Sequence, residues 1–85
     1  MIDKLGAARS KIDVLDRRIA ALLARRFALA VPLKGLKKKL SDPAREKQVL
    51  ANAAAAGKKI YAPSTKAVFA EIIKQSKKLQ GRAGK

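Results

Sequence analysis

An apolar stripe along residues 12–36, with one arginine set into it, most limits how this chain can fold. Arg26 occupies a position where the stripe requires an apolar residue. Because an unpaired guanidinium is costly to bury, we expect Arg26 to reach solvent, to form an internal ion pair or to meet an anionic ligand. The aliphatic residues of the stripe recur at spacings of three and four, the pattern of one helix face: Ile12, Leu15, Ile19, Leu22, Leu29, Leu33 and Leu36.

The same pattern predicts an all-α chain of three helices, one long and two shorter. Alanine, leucine, lysine and arginine favour helix, and no segment alternates with period two. The first helix is expected from about Ile2 to Lys39, with Pro32 and Gly35 as departures, since Pro32 clashes with the carbonyl of Ala28. Such a helix would exceed about 50 Å, too long for one small chain to cover, so the stripe favours a partner helix from a second chain.

A clear break precedes the second helix. Asp42 is a favourable N-cap and Pro43 fits the first helical position, so this helix should begin there and end near Gly57. We expect residues 1–80 to form one domain. Residues 81–85 carry no packing pattern and are expected to fray.

The third helix, from around residue 63 to Gln80, repeats the anomaly of the first. Ser76 and Gln80 follow its isoleucines at spacings of four and seven, so both polar side chains should project from the face that buries those isoleucines. The pattern alone leaves open whether this face instead becomes exposed toward the carboxyl terminus.

The composition is strongly basic. The chain has 21 Lys and Arg against 6 Asp and Glu, a net charge of +15, which favours anionic partners. A basic helical nucleic-acid-binding module is one alternative, disfavoured by the near absence of aromatic stacking surface. Lysines such as Lys77 and Lys78 are expected to be exposed, and nothing in the sequence explains their number. No apolar run can span a bilayer and no signal peptide is recognisable, so we expect no membrane association and a cytoplasmic location.

Several charged residues of the first helix can be related by helical phase. Arg26 and Lys37 are close to three full turns apart and share a face with Leu33. Arg9 lies 17 residues before Arg26, a rotation of roughly 260°. If Arg9 and Arg26 serve one site, Arg9 must therefore come from a second subunit.

The first turn of the second helix carries Asp42, Arg45 and Glu46. Acidic residues there complement the positive end of a helix, which is the structural alternative. Arg45 and Glu46 could equally offer a donor and an acceptor to a ligand. Together with the inward polar residues, they form a set that suits a small dianion with a hydroxyl and lacks an obvious nucleophile.

From Leu5 to Gln80 the chain resembles the bacterial all-helical, type II chorismate mutases. Each matching segment is modest, but their order and spacing together are specific. The matching segments are RSKIDVLD at 9–16, LLARR at 22–26, Lys37, DPAREKQVL at 42–50 and FAEIIKQSKKLQ at 69–80.

The resemblance implies an interlaced homodimer of three-helix chains that converts chorismate to prephenate in phenylalanine and tyrosine biosynthesis. This Claisen rearrangement uses no cofactor, no metal and no covalent intermediate, in keeping with the absence of His and Cys. Catalysis would come from holding the reactive diaxial chair and stabilising charge on the ether oxygen. Isochorismate pyruvate lyase, on the same scaffold, is the nearer alternative, and Gln80 and Glu46 favour the mutase.

The resemblance also implies a role for each catalytic residue. Lys37 would hydrogen-bond a carboxylate and the ether oxygen, and Gln80 would donate a second hydrogen bond to that oxygen. Glu46, with the backbone of Asp42, would hold the ring hydroxyl.

The remaining site residues would bind the substrate. Arg26 and Arg9 of the partner subunit would hold the two carboxylates as bidentate forks. Ser76 would touch the ring carboxylate, and Arg45 would orient the neighbouring groups. Apolar walls would be supplied by Leu33 and Ile73.

Overall fold

The first helix, α1, runs from Lys4 to Ala30 and begins at an aspartate cap. The Asp3 carboxylate accepts a hydrogen bond from the N–H of Gly6 at 2.8 Å. This bond satisfies one of the N–H groups that have no partner within the first turn of the helix. The computed structural model describes residues 3–36 and 42–83, and these ranges contain three α-helices and no strand. The prediction of an all-α chain with one long and two shorter helices is confirmed.

The prediction that the first helix continues to Lys39 is wrong, because the α-helix ends at Ala30. Residues Val31–Leu36 form a 3₁₀ segment that contains Pro32. Proline has no N–H to donate to the fourth preceding carbonyl, and its ring crowds that carbonyl. The chain passes this point in the tighter 3₁₀ winding. Lys39 itself lies outside the described residues.

The second helix, α2, spans Pro43–Ala56, with Asp42 as its N-cap and Gly57 as its C-cap, as predicted. The Asp42 carboxylate accepts the N–H of Arg45 at 3.1 Å. Pro43 occupies the first turn, where its missing N–H costs nothing. The local sequence is therefore sufficient to set both ends of α2.

A 3₁₀ turn, Lys59–Tyr61, leads into the third helix, α3, which spans Ala62–Ala83. The helix continues past Gln80, where the sequence predicted its end, and fraying of the last residues stays a prediction. α3 packs mainly on α2, and also on α1 and the first 3₁₀ segment. Among the described residues, Ile73 is the hydrophobic side chain that this packing buries.

Most of α1 extends away from this packing. None of its residues is buried, and residues 7–22 are all exposed. The chain is 59 Å long and its radius of gyration is 16.1 Å, against about 12 Å for a compact domain of this length. No helix in the described ranges is long and apolar enough to cross a membrane. The stripe residues of α1 that stay more than half exposed are Ile12, Leu15, Ile19, Leu22 and Leu29.

Candidate active site

An open cavity of about 250 Å³ lies between the end of α1, the 3₁₀ segment, the start of α2 and the second half of α3. The site residues expected from the sequence that line it are Arg26, Leu33, Asp42, Arg45, Glu46, Ile73, Ser76 and Gln80. The lining also includes four residues that the sequence did not single out for the site: Leu29, Ala30, Val49 and Lys77.

Arg26 meets a neutral hydroxyl in this cavity. Its guanidinium donates to Ser76 Oγ at 2.9 Å, and that hydroxyl in turn donates to the carbonyl of Ile72 at 2.9 Å. A serine hydroxyl has one hydrogen, so its bond to Ile72 leaves the oxygen to accept from Arg26. Within residues 3–36 and 42–83 no carboxylate forms an ion pair with Arg26, so these residues do not provide the internal ion pair that was one of its expected partners. An anion entering the cavity would meet a cation that is already oriented.

Gln80 lines the same cavity, one turn of α3 after Ser76. Its side chain is buried, with 3% of the residue exposed. Its Nε2 donates to the carbonyl of Ala30 at 2.7 Å. Ala30 is the last residue of α1, where helix carbonyls lack an α-helical donor. The Gln80 amide therefore completes the end of α1, and this contact fixes its orientation beside the cavity.

The inward direction of both polar side chains on α3 is confirmed. Ser76 is 7% exposed and is buried like Gln80, with Ile73 on the same face. The alternative, in which this face of α3 opens to solvent toward the carboxyl terminus, is wrong. Helical spacing alone located these two positions.

The start of α2 supplies the acidic side of the cavity. The N–H of Asp42 donates to Glu46 Oε2 at 3.2 Å, while the Asp42 carboxylate accepts the N–H of Arg45. This is a reciprocal cap of the capping-box kind. The Arg45 guanidinium donates to Gln48 Oε1 at 2.6 Å. Asp42 and Glu46 thus cap the helix and line the cavity at once, and Arg45 lines it as well. A structural role and a ligand-binding role are therefore compatible at this helix end.

Lys77 also lines the cavity, and the expectation that it is a solvent-exposed lysine is wrong. Its Nζ lies 3.4 Å from both carboxylate oxygens of Glu46, with the two side chains 32% and 27% exposed. The neighbouring Lys78 is exposed, as expected. Lys77 follows Ile73 by four residues and precedes Gln80 by three, so helical spacing could have placed it on the inward face.

Of the remaining predicted residues, one does not line the cavity and the other lies outside the described part of the chain. Arg9 is exposed on α1, about 26 Å along the helix axis from Arg26. It does not line the cavity of its own chain, in keeping with the helical phase. Lys37 lies outside the described residues.

Comparison with known proteins gives one family. Residues 8–81 match the family model described as chorismate mutase type II. The chain is 42% identical over 53 residues to the chorismate mutase of Methanocaldococcus jannaschii, across 58% of this chain and 54% of that protein. The chain thus spans about half the length of this curated relative. No solved structure matches the chain at comparable significance.

Proposed function

Because the chain belongs to the type II chorismate mutase family, we propose that it catalyses the rearrangement of chorismate to prephenate, on the route to phenylalanine and tyrosine. The observation that carries this proposal is the meeting of Arg26, Gln80 and Glu46 in one cavity of small-molecule size. These are a cation for a carboxylate, a neutral donor for an ether oxygen and an acceptor for a hydroxyl. Chorismate has all three groups.

Binding begins with the carboxylates. Arg26 holds one of them, and its hydrogen bond to Ser76 limits the motion that it must lose when substrate arrives. Ser76 lies beside Arg26, and its hydroxyl can donate to the ring carboxylate once it turns away from the Ile72 carbonyl. Arg45 supplies further positive charge at the start of α2. Leu33 and Ile73 form apolar walls that favour the folded chair of the substrate over an extended one.

Rate acceleration comes from donors directed at the oxygen that gains charge. As the ether bond breaks, negative charge builds on that oxygen, and a donor that is already in place stabilises it without reorganisation. Gln80 supplies one N–H, and its contact with the Ala30 carbonyl keeps the amide from rotating. The resemblance assigns the second donor to Lys37. No covalent intermediate and no proton transfer are required.

The ring hydroxyl is the third point of recognition. Glu46 accepts its hydrogen bond, and the Asp42 backbone lies beside it. This contact is made equally in the ground state and the transition state, so it contributes to substrate affinity more than to turnover.

We also propose a homodimer in which α1 packs on the partner chain. The single chain exposes 7201 Å² of surface, about 2,300 Å² more than the ~4,900 Å² of a compact protein of this mass. Exposed apolar residues of the α1 stripe contribute to this excess, and an apolar stripe left exposed on a helix is typical of a protein interface. In the interlaced arrangement, Arg9 of the partner subunit completes the site with a second fork. A cytoplasmic location remains a prediction.

The test is an absorbance assay of chorismate loss with purified protein, together with identification of prephenate. We expect Arg26→Ala to abolish turnover. Arg25→Ala, which removes the neighbouring exposed cation, is the matched control and should remain active. Offering isochorismate and measuring salicylate distinguishes the lyase. A folded, helical protein that does not accelerate chorismate loss would refute the proposal.

A further inference from the structure

Lys77 is a cation in the cavity to which neither the sequence pattern nor the proposed reaction gives a role. It lies on α3 between two buried polar residues, directly after Ser76 and three residues before Gln80. The cavity already holds Arg26 and Arg45 as cations for a dianion. Lys77 is paired instead with Glu46, the acceptor that we assign to the ring hydroxyl.

The geometry of this pair is symmetric. Lys77 Nζ is 3.4 Å from Glu46 Oε1 and 3.4 Å from Oε2, while the Asp42 N–H reaches Oε2 from the start of α2. The carboxylate is thus approached by its own helix end and by α3, across the 31 residues that separate Glu46 from Lys77. Contacts from two different elements restrain the orientation of a side chain that otherwise has three rotatable bonds. Lys77 supplies the contact from α3.

We propose that Lys77 is a positioning residue, which orients the Glu46 carboxylate toward the ring hydroxyl of the substrate and so sets the affinity for hydroxyl-bearing substrates; this inference rests on the proposed function. Lys77 acts through Glu46 and does not itself bind a substrate carboxylate. A pair that merely joined α2 to α3 would stabilise the fold without favouring one substrate over another. The two possibilities differ in whether removing Lys77 weakens the binding only of ligands that carry the ring hydroxyl.

The experiment compares Lys77→Met with Lys78→Met. Both substitutions remove one positive charge from α3 and keep an unbranched side chain, but Lys78 is exposed and does not line the cavity. For each variant we would measure KM and kcat with chorismate, and the inhibition constant of an analogue that lacks the ring hydroxyl. Lys77→Arg, which keeps the cation, tests rescue. If circular dichroism shows that Lys77→Met is not helical, Lys77→Gln replaces it throughout.

We expect Lys77→Met to raise KM for chorismate about two- to fivefold, the change that a partly exposed ion pair supports, with kcat within about twofold. Lys78→Met should match the wild type, and Lys77→Arg should recover most of the lost affinity. The inhibition constant of the analogue without the hydroxyl should not change. In a Glu46→Gln background, adding Lys77→Met should have no further effect, because the carboxylate that it positions is gone.

Three results would overturn the inference. The first is a KM for Lys77→Met equal to that of the wild type. The second is an equal loss of affinity for the analogue without the hydroxyl, which would mean that Lys77 binds the substrate directly. The third is an undiminished effect in the Glu46→Gln background. Failure of the proposed function is a separate outcome, because the wild-type protein would then not convert chorismate at all.

Discussion

Gln80→Ala is the most demanding test of the site, because the Gln80 amide has both a structural and a catalytic partner. In the transition state it donates to the ether oxygen, and removing one such donor from an enzyme costs about 2.7–4 kcal/mol, or roughly 10²–10³ in kcat. In the folded protein it donates to the carbonyl of Ala30 at 2.7 Å. Leaving a fully buried acceptor unsatisfied costs about 1–3 kcal/mol, and the contact with the Ala30 carbonyl is only part-buried. Truncation opens the site to water, so we expect the lower end of that range.

The two effects are separated by measuring each directly. A loss of about 1 kcal/mol lowers Tm by roughly 4–8 °C in a domain of this size, so circular dichroism melts at one protein concentration should show a modest shift. Turnover, followed by absorbance well below the variant's Tm, should fall by at least about a hundredfold.

Gln75→Ala is the matched control. Gln75 is on the same helix and donates to Glu71 at 2.8 Å on the exposed side, so its loss should change Tm and kcat little. A Gln80→Ala enzyme within about tenfold of wild-type turnover, with the protein folded, would refute the catalytic role. A large fall in turnover in the Gln75→Ala variant would show that any truncation on α3 disturbs the site.

Three further predictions concern the assembly and the end of α1. Sedimentation at micromolar concentration should give a dimer, and a folded, helical monomer would contradict the packing assigned to α1. Arg9→Ala and Arg26→Ala should each be nearly inactive, but exchanging subunits between the two variants should restore roughly a quarter of wild-type activity. Half of the dimers are then mixed, and each mixed dimer has one intact site of its two. If no activity returns although exchange is verified, Arg9 does not act in the partner's site. Pro32→Ala should extend α1 and raise Tm by a few degrees, since it restores an N–H donor. The contact between Gln80 and the end of α1 should then weaken, so kcat should fall. An unchanged or lower Tm would mean that these residues prefer the 3₁₀ conformation even without proline.

Local patterns in the sequence determined the helices and the direction of their faces. Asp42 and Pro43 set the start of α2, because a cap acts on the N–H groups of the first turn beside it. Ser76 and Gln80 could be assigned to the inner face of α3 from spacing alone, because residues four apart on a helix share one side. The sequence also indicated that the apolar stripe of the first helix is too long for the rest of its own chain to cover.

Only the tertiary structure decided what those inward side chains meet. Arg26 reaches Ser76 and Gln80 reaches Ala30 across 50 residues of sequence in each case. Such contacts depend on how the helices pack and on where α1 ends at the proline, and helical periodicity carries no information about either. Lys77 shows the same limit: helical spacing could have placed it on the inner face of α3, but its contact with Glu46 follows from the packing of α3 on α2. A helical pattern fixes which way a side chain points, but its partner is chosen by packing between segments far apart in the chain.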